Sequence, residues 1–265
     1  MKVKLIRCTT LSMVLGLTFA AAHADVIFSD KFEAYSLAGF GTAQEGWAIT
    51  NSEIRSGNYA AKMTLQPNIK TTEDTAAINT TLSIAAETKH TIGGTGRARS
   101  ETKGPSLERD KDYTIRFSNK LDDNFDTNSS AILFQIHKRR AANDKTGHQP
   151  LQLHVRRGEW WLSVHSDASP TGKRFDLGPA EKGKYSDWEL NVRFSNRGDG
   201  RVQVKRNGVQ VVDYTGPDDF KNDKDKKGPY VKFGIYRPQH PKGGPPKDSR
   251  EQTVYYDRVE VIRNN

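Results

Sequence analysis

Cysteine is almost missing from this sequence. The chain of 265 residues contains one cysteine, Cys8, in an N-terminal segment that we expect to be removed. Without that residue the chain has no disulfide, no thiolate metal ligand and no cysteine nucleophile. The mature protein would then be stabilised by its hydrophobic core alone, and export without disulfides fits a bacterial protein.

Long hydrophobic runs are also missing, apart from one near the N-terminus. Three cations precede an apolar run at 11–22, which ends in Ala-His-Ala at 22–24. A charged start, a short apolar run and a small-residue cleavage site predict a secretory signal over residues 1–24. The run is too short to span a bilayer. We therefore expect an exported protein, periplasmic or secreted, with a single domain over residues 25–265 and no membrane span.

Paired carboxylates on one strand face and histidine clusters with metal-ligand spacing are a third absence. The predicted strands lack two acidic residues at the spacing of a glycoside hydrolase, and no histidines have the spacing of a metal site. No cofactor is expected to be required, although Asp122, Asp123 and Asp126 could bind a structural calcium ion. The formal net charge is +9, with three positive charges in the predicted signal. This excess favours an acidic polysaccharide over nucleic acid as the partner.

Alternating polar and apolar residues recur along the chain, whereas helical periodicity is rare. Strand-like segments occur at 59–66, 112–119, 131–137, 150–157, 159–166, 187–195, 200–214, 230–237 and 253–262. Asn207-Gly208 gives the strongest hairpin prediction, because a type I′ turn needs two residues that tolerate positive φ. Many short strands between turns predict an all-β fold, a two-sheet antiparallel sandwich of the jelly-roll, concanavalin A-like type. We expect a monomer.

Three strands carry polar groups on one face. The first is "FQIHK", where residues two apart share a face. Gln135 and His137 therefore lie together, with Leu133 beside them, while Phe134 and Ile136 face the core. An isolated pair of this kind is often only a solvent-exposed pair, so its meaning depends on the other two strands.

The second polar face lies in "GRARSETK", where alternation groups Arg97, Arg99, Glu101 and Lys103. Arginine and glutamate in such a pattern are commonly a surface ion pair of little energetic weight. As functional residues, Glu101 is expected to orient Arg99, and Arg97 is expected to contact an acidic ligand.

The third polar face lies in "YVKFGIYRP" and groups Tyr230, Lys232, Gly234 and Tyr236. Gly234 has no side chain at the centre of this face, which predicts room for a sugar ring. Arg237 follows as a further binding candidate. Tyrosines that alternate along a strand are also ordinary β-formers. Taken together, the Arg, Gln, His, Lys and Tyr of the three faces can bind a uronate and remove its C5 proton.

Further candidates lie beside these faces. Lys138 and Arg139 directly follow the "QIH" strand and are expected to hold an acidic polymer. His154 and Arg156 share a face of "LQLHVRR" and could bind a neighbouring sugar. The adjacent tryptophans at 160–161 must point to opposite faces, so we expect one in the core and the other free to stack on a sugar.

The motifs "RSETK", "FQIHK" and "YVKFGIY" resemble the three motifs of jelly-roll alginate lyases, written R-(S/T)-E-L-R, Q-(I/V)-H and Y-F-K-x-G-x-Y. The wider layout, with "KFGIYR" before a last strand containing "VYYD", resembles the heparin lyase I and glucuronan lyase group. The resemblance implies a lyase that cleaves a uronate polymer by β-elimination and leaves 4,5-unsaturated ends. The alternative is a non-catalytic carbohydrate-binding module on the same fold.

The resemblance also implies roles for individual residues. Arg99 and Gln135 would neutralise the uronate carboxylate, and His137 would exchange protons together with a tyrosine. The alginate lyase pattern places that tyrosine at Tyr230. The heparin lyase pattern places it at Tyr236, four residues after a lysine. We favour Tyr236, because "KFGIYRP" and the last strand look more like the heparin and glucuronan lyase group.

Overall fold

The computed structural model describes residues 24–33, 47–65, 98–138, 149–169, 171–195, 197–220, 228–238 and 251–264, with the side chains of 98 and 99 left undescribed. These residues form fourteen strands and no helix. The described part accordingly includes no helix that could cross a membrane. The strands are β1 (Ala24–Asp30), β2 (Trp47–Thr50), β3 (Ala60–Leu65), β4 (Ala98–Ser106), β5 (Asp112–Leu121), β6 (Ala131–His137), β7 (Leu151–Arg156), β8 (Glu159–Val164), β9 (Lys173–Pro179), β10 (Tyr185–Arg193), β11 (Arg201–Arg206), β12 (Val209–Thr215), β13 (Tyr230–Arg237) and β14 (Gln252–Asn264).

The strands form two antiparallel sheets. The eight-stranded sheet has the order β12-β11-β10-β5-β14-β3-β2, and β1 also pairs with β14. The six-stranded sheet has the order β4-β13-β6-β7-β8-β9. This architecture confirms the predicted all-β sandwich. It also places β13 and β6, which carry two of the three predicted polar faces, side by side in the middle of one sheet.

Alternation along the strands explains the core between the sheets. In β10, for example, Trp188, Leu190 and Val192 are buried, while Glu189 and Asn191 between them are partly exposed. Phe117 of β5 stacks on Phe134 of β6 with ring centroids 4.9 Å apart, and it meets Phe233 of β13 edge-on at 5.5 Å. These aromatic contacts bury large apolar surfaces and join the two sheets directly behind the polar faces.

The hairpin prediction at Asn207-Gly208 is confirmed. Both residues have positive φ, 51° and 82°, and β11 and β12 pair from Arg206 and Val209 outward. The sequence patterns do not predict β1, β2 or β9. β2 and β9 lie at sheet edges. β2 has only four residues, too few for a clear alternation, and charged residues interrupt the apolar pattern of β9. A buried central strand such as β6 gives a clearer pattern.

Two β-bulges interrupt the centre of the six-stranded sheet. Between β13 and β6, pairing passes from Phe233 with Phe134 to Tyr236 with Ile132, so β13 has one extra residue. Between β6 and β7 the extra residue is Leu133. The bulge turns Leu133 into the core, so the prediction that it lies on the polar face is wrong. One extra residue is enough to reverse the alternation.

Gly234 has a different role from the predicted one. Its φ is +135°, and a Cβ at this position would collide with the backbone of β4, lying 2.6 Å from the Cα of Glu101. The missing side chain permits this close approach of two strands and does not open space for a sugar ring. The prediction is wrong because sequence spacing does not show the direction in which an absent side chain would point.

Candidate functional site

The strand order brings the predicted polar faces together. In the pairing of β13 with β6, Lys232 lies opposite Gln135 and Tyr230 lies opposite His137. Neighbouring strands are about 4.8 Å apart, so these four side chains are close neighbours on one face. Tyr236 lies on the same strand beyond the bulge and is partly exposed. We call this surface, defined by Gln135, His137, Tyr230, Lys232 and Tyr236, the polar face.

Three predicted cations lie wholly or in their side chains outside the described part of the chain. The backbone of Arg99 in β4 pairs with Tyr236 of β13, which places Arg99 at the edge of the polar face. Its side chain lies outside the described part, as do the whole of Arg97 and Arg139. Their roles in binding a substrate carboxylate therefore stay predictions.

A buried carboxylate links two residues of the polar face. Glu101, Gln135 and Lys232 are 3%, 2% and 8% exposed. The Nε2 of Gln135 donates to Oε1 of Glu101 at 2.6 Å, and the Nζ of Lys232 donates to Oε2. Glu101 thus orients the amide and balances the charge of the ammonium. The sequence pattern predicts that Glu101 orients Arg99, whereas the described contacts of Glu101 are with Gln135 and Lys232.

The tautomer of His137 follows from its hydrogen bond. Nδ1 lies 2.7 Å from the carbonyl oxygen of Lys138. A carbonyl oxygen only accepts, so Nδ1 carries the proton and the neutral ring has its lone pair on Nε2. The ring lies against Tyr230, with centroids 5.0 Å apart. Nε2 is therefore the atom of His137 that could accept a proton from a substrate on this face.

Lys138 does not face the solvent. Its side chain is buried, and the ammonium lies 3.9 Å from the centroid of the Phe220 ring, as in a cation–π contact. Its backbone N–H donates to Oε1 of Gln149 at 3.0 Å. The prediction that Lys138 holds the polymer is wrong, because alternation turns the residue after His137 inward.

Arg237 is also buried, at 1% exposed. Its Nη2 donates to Oε1 of Gln252 at 3.0 Å, and its Nη1 lies 3.9 Å from Oδ2 of Asp126. The guanidinium further packs near the ring of Phe125. Arg237 directly follows Tyr236 on β13, and successive side chains of a strand point to opposite faces of the sheet. Arg237 therefore points away from the polar face. The prediction that it binds substrate is wrong; it joins β13 to β14 and to the loop after β5.

The next strands continue the polar surface. His154 of β7 lies opposite the partly exposed Trp161 of β8, and its Nε2 is 3.0 Å from Oγ of Ser163. Trp160 is in the core, as expected of one of the two tryptophans. Burial, assisted by nearby arginines such as Arg156, lowers the pKa of His154 to about 4. His154 is therefore neutral near pH 7, and Arg156 is exposed at the end of β7.

The lowered pKa of His154 predicts a loss of stability in acid. The pKa is about 4 in the folded state against an ordinary 6.5, so the unfolded chain takes up a proton first as the pH falls. The free energy of unfolding should decrease by up to about 3 kcal/mol as the pH falls from 6.5 towards 4. Urea unfolding of the wild type and of His154→Gln at several pH values isolates this effect. An equal acid dependence of both proteins would contradict the prediction.

Metal binding has no support in the described residues, among which no three His, Cys, Asp or Glu side chains are grouped to hold an ion. The proposed calcium ligands Asp122 and Asp126 accept backbone N–H bonds from Asn124 and Asn128, both at 3.0 Å. Such bonds stabilise the turns in which these residues lie. A calcium ion bound by these residues and Asp123 stays a prediction.

Sequence reasoning missed residues that support the polar face from behind. Gln149 and Phe220 hold Lys138, whose carbonyl accepts from His137. Tyr256 of β14 reaches the bulges of β6 and β13 through the core. No sequence signal indicates which strands these three side chains meet.

The two packed antiparallel sheets define a jelly-roll β-sandwich, an architecture that also occurs in lectin domains. A family model described as polysaccharide lyase matches residues 29–260. The chain therefore belongs to the polysaccharide lyase family. A comparison with curated protein sequences gave no match.

Several solved structures are similar to this chain. An endo-β-1,4-glucuronan lyase from the fungus Trichoderma reesei has a TM-score of 0.67 and 14% identity, over 89% of this chain and 94% of that one. The alginate lyase Aly36B, in complex with an alginate trisaccharide, has a TM-score of 0.51 and 12% identity, over 93% and 100%. A carbohydrate esterase of the Shiga toxin-encoding bacteriophage phi24B has a TM-score of 0.53 and 11% identity, over 92% and 100%. At such identities the likeness shows the jelly-roll fold and leaves the reaction open.

Proposed function

We propose that this protein cleaves an acidic, uronate-containing polysaccharide by β-elimination and leaves 4,5-unsaturated uronate ends. The observation that carries the proposal is the polar face, where Gln135, His137 and Lys232 lie beside two tyrosines on adjacent strands. These are groups that can bind a carboxylate, take a proton and give one back. Membership of the polysaccharide lyase family supports a lyase.

The polar face supplies donors for the substrate carboxylate. The C5 proton of a uronate is only weakly acidic while the neighbouring carboxylate is charged. Gln135 gives one amide N–H to Glu101 and keeps a second for substrate. Together with the ammonium of Lys232 and the predicted guanidinium of Arg99, it would stabilise the charge that develops when the proton leaves.

Proton transfer is assigned to His137 and Tyr236. The Nε2 of His137 takes the C5 proton, the released electron pair forms the C4=C5 double bond, and the bond from C4 to the glycosidic oxygen breaks. Tyr236 gives a proton to that oxygen. Tyr230 is the alternative proton donor, since it lies against His137 and has the ammonium of Lys103 4.8 Å from its ring centroid.

The polymer, the location and the assembly are finer parts of the proposal. Glucuronan is the first polymer to test, because "KFGIYR" and the last strand resemble that group and a glucuronan lyase has a similar structure. Alginate and glycosaminoglycans are the other candidates. The signal-like segment at 1–24 supports export to the periplasm or the medium. A monomer without a required cofactor completes the proposal.

The test is the ultraviolet absorbance of the new C4=C5 double bond. Purified mature protein is mixed separately with glucuronan, alginate, hyaluronan and heparin, beside a His137→Ala variant whose circular dichroism confirms folding. We expect absorbance to rise with one polymer and the initial rate to fall by roughly 10²–10⁴-fold in the variant. Binding without any rise would instead favour a non-catalytic carbohydrate-binding module. A rise that is unchanged in His137→Ala would refute the assigned base.

A further inference from the structure

Tyr256 crosses the core from one sheet to the other. It lies in β14 of the eight-stranded sheet and is fully buried. Its hydroxyl donates to the carbonyl oxygen of Leu133 in β6 and lies 3.2 Å from the carbonyl oxygen of Gly234 in β13. A single buried side chain therefore contacts the two central strands of the opposite sheet, directly behind the polar face.

The two carbonyl groups belong to the two bulges. Leu133 is the extra residue of β6 relative to β7, and Gly234 lies in the stretch of β13 that has one residue more than β6. A bulge leaves its extra residue outside the regular ladder of hydrogen bonds. A buried carbonyl without a partner is costly, so a hydroxyl supplied from the core stabilises this geometry.

The bulges lie between residues of the polar face. On β13 the bulge separates Lys232 from Tyr236, and on β6 the bulge comes two residues before Gln135. The relative placement of these side chains thus depends on how each strand passes its bulge. A displacement of about 1 Å in such a constellation can cost on the order of a hundredfold in rate.

The Tyr256 ring has a fixed position. It lies edge-on to Phe233 at a centroid distance of 5.9 Å and 6.2 Å from Phe117. Burial raises the pKa of the Tyr256 hydroxyl, so the group remains a donor across the working pH range. The aromatic contacts with Phe233 and Phe117 thus set the direction in which the Tyr256 hydroxyl points.

We propose that Tyr256 is a positioning residue whose hydroxyl, reaching through the core from the opposite sheet, fixes the two bulges that place Tyr236 and Gln135. The proposal rests on the proposed function, since it assigns these two side chains to a lyase site. Tyr256 itself does not touch the substrate, because it is fully buried.

The test compares Tyr256→Phe with Tyr255→Phe. Tyr255 is the adjacent residue of β14, and its hydroxyl contacts Oδ2 of Asp122 at 3.4 Å. Both variants lose one hydroxyl from the same strand. We expect Tyr256→Phe to reduce kcat by roughly tenfold to a hundredfold with KM little changed, and Tyr255→Phe to keep the wild-type kcat. If Tyr256→Phe has a lower Tm but keeps the wild-type kcat, measured at a temperature well below that Tm, Tyr256 has only a structural role and the proposal is wrong.

Two further measurements, the kcat of Gly234→Ala and amide hydrogen exchange, test the same proposal independently. Gly234→Ala disturbs the same bulge by another route, so a folded Gly234→Ala protein with wild-type kcat would overturn the proposal. If the wild type cleaves none of the polymers, the proposed function fails, and amide hydrogen exchange still tests the positioning. Exchange at the bulges of β6 and β13 should be faster in Tyr256→Phe than in Tyr255→Phe. Equal exchange would refute the control of the bulges by Tyr256.

Discussion

Replacement of Tyr236 by phenylalanine is expected to reduce kcat by roughly 10²–10⁴-fold on the polymer that the wild type cleaves. The change keeps the ring and removes only the hydroxyl that would protonate the leaving oxygen. Tyr236 is partly exposed on the polar face, so the free energy of unfolding should change little. Initial rates from ultraviolet absorbance and a thermal unfolding curve measure the two effects separately.

Tyr230→Phe is the matched control for this prediction. It makes the same change on the same strand, next to His137 instead of beyond the bulge. We expect a smaller loss of kcat together with a larger rise in KM, because Tyr230 would then mainly position the sugar. A larger kcat loss in Tyr230→Phe than in Tyr236→Phe would exchange the two roles. It would also favour the alginate lyase pattern over the heparin lyase pattern.

Replacement of Glu101 by leucine is expected to lower the free energy of unfolding by about 3–5 kcal/mol. The variant leaves the ammonium of Lys232 buried without its counter-charge and removes the acceptor of the Gln135 amide. An uncompensated buried charge is far more costly than a broken surface pair, which is worth about 0–1 kcal/mol. Urea denaturation near neutral pH gives the value, and activity should fall as well.

The double variant Glu101→Leu, Lys232→Met separates stability from function. Removing both charges together should recover most of the lost free energy, because a buried pair can be replaced by apolar side chains of similar volume. Activity should stay low, since Lys232 no longer attracts the substrate carboxylate. A loss below about 1 kcal/mol in Glu101→Leu alone would mean that solvent screens the pair in solution.

Much of the fold follows from local patterns in the sequence. Alternation places the apolar residues of β10 and β13 in the core, and the Asn207-Gly208 turn joins β11 to β12 as predicted. The same alternation groups Gln135 with His137 and Lys232 with the tyrosines of β13. These predictions succeed because the side-chain direction in a regular strand depends only on neighbours along the chain.

The errors have a different origin. The placements of Leu133 and Gly234 fail at bulges, and bulges depend on pairing between strands that are distant in sequence. Lys138 and Arg237 look like free cations because of their type, although their positions alternate with outward-facing residues. The prediction that both bind substrate rests on their charge and on their position directly after a polar strand face. Their partners, such as Phe220 and Gln252, come from other parts of the chain.

Local sequence patterns are enough to predict the class of fold, the strands that carry polar groups and the residue types available for chemistry. The periodicity of the sequence is sufficient for this because alternation and turn preferences are local properties. The position of β13 between β4 and β6, which lets Glu101 contact both Gln135 and Lys232, does not follow from these patterns and is seen only in the folded chain. Strand order and register are set by packing across the whole sandwich. That packing also brings the Tyr256 hydroxyl to the two bulges behind the polar face.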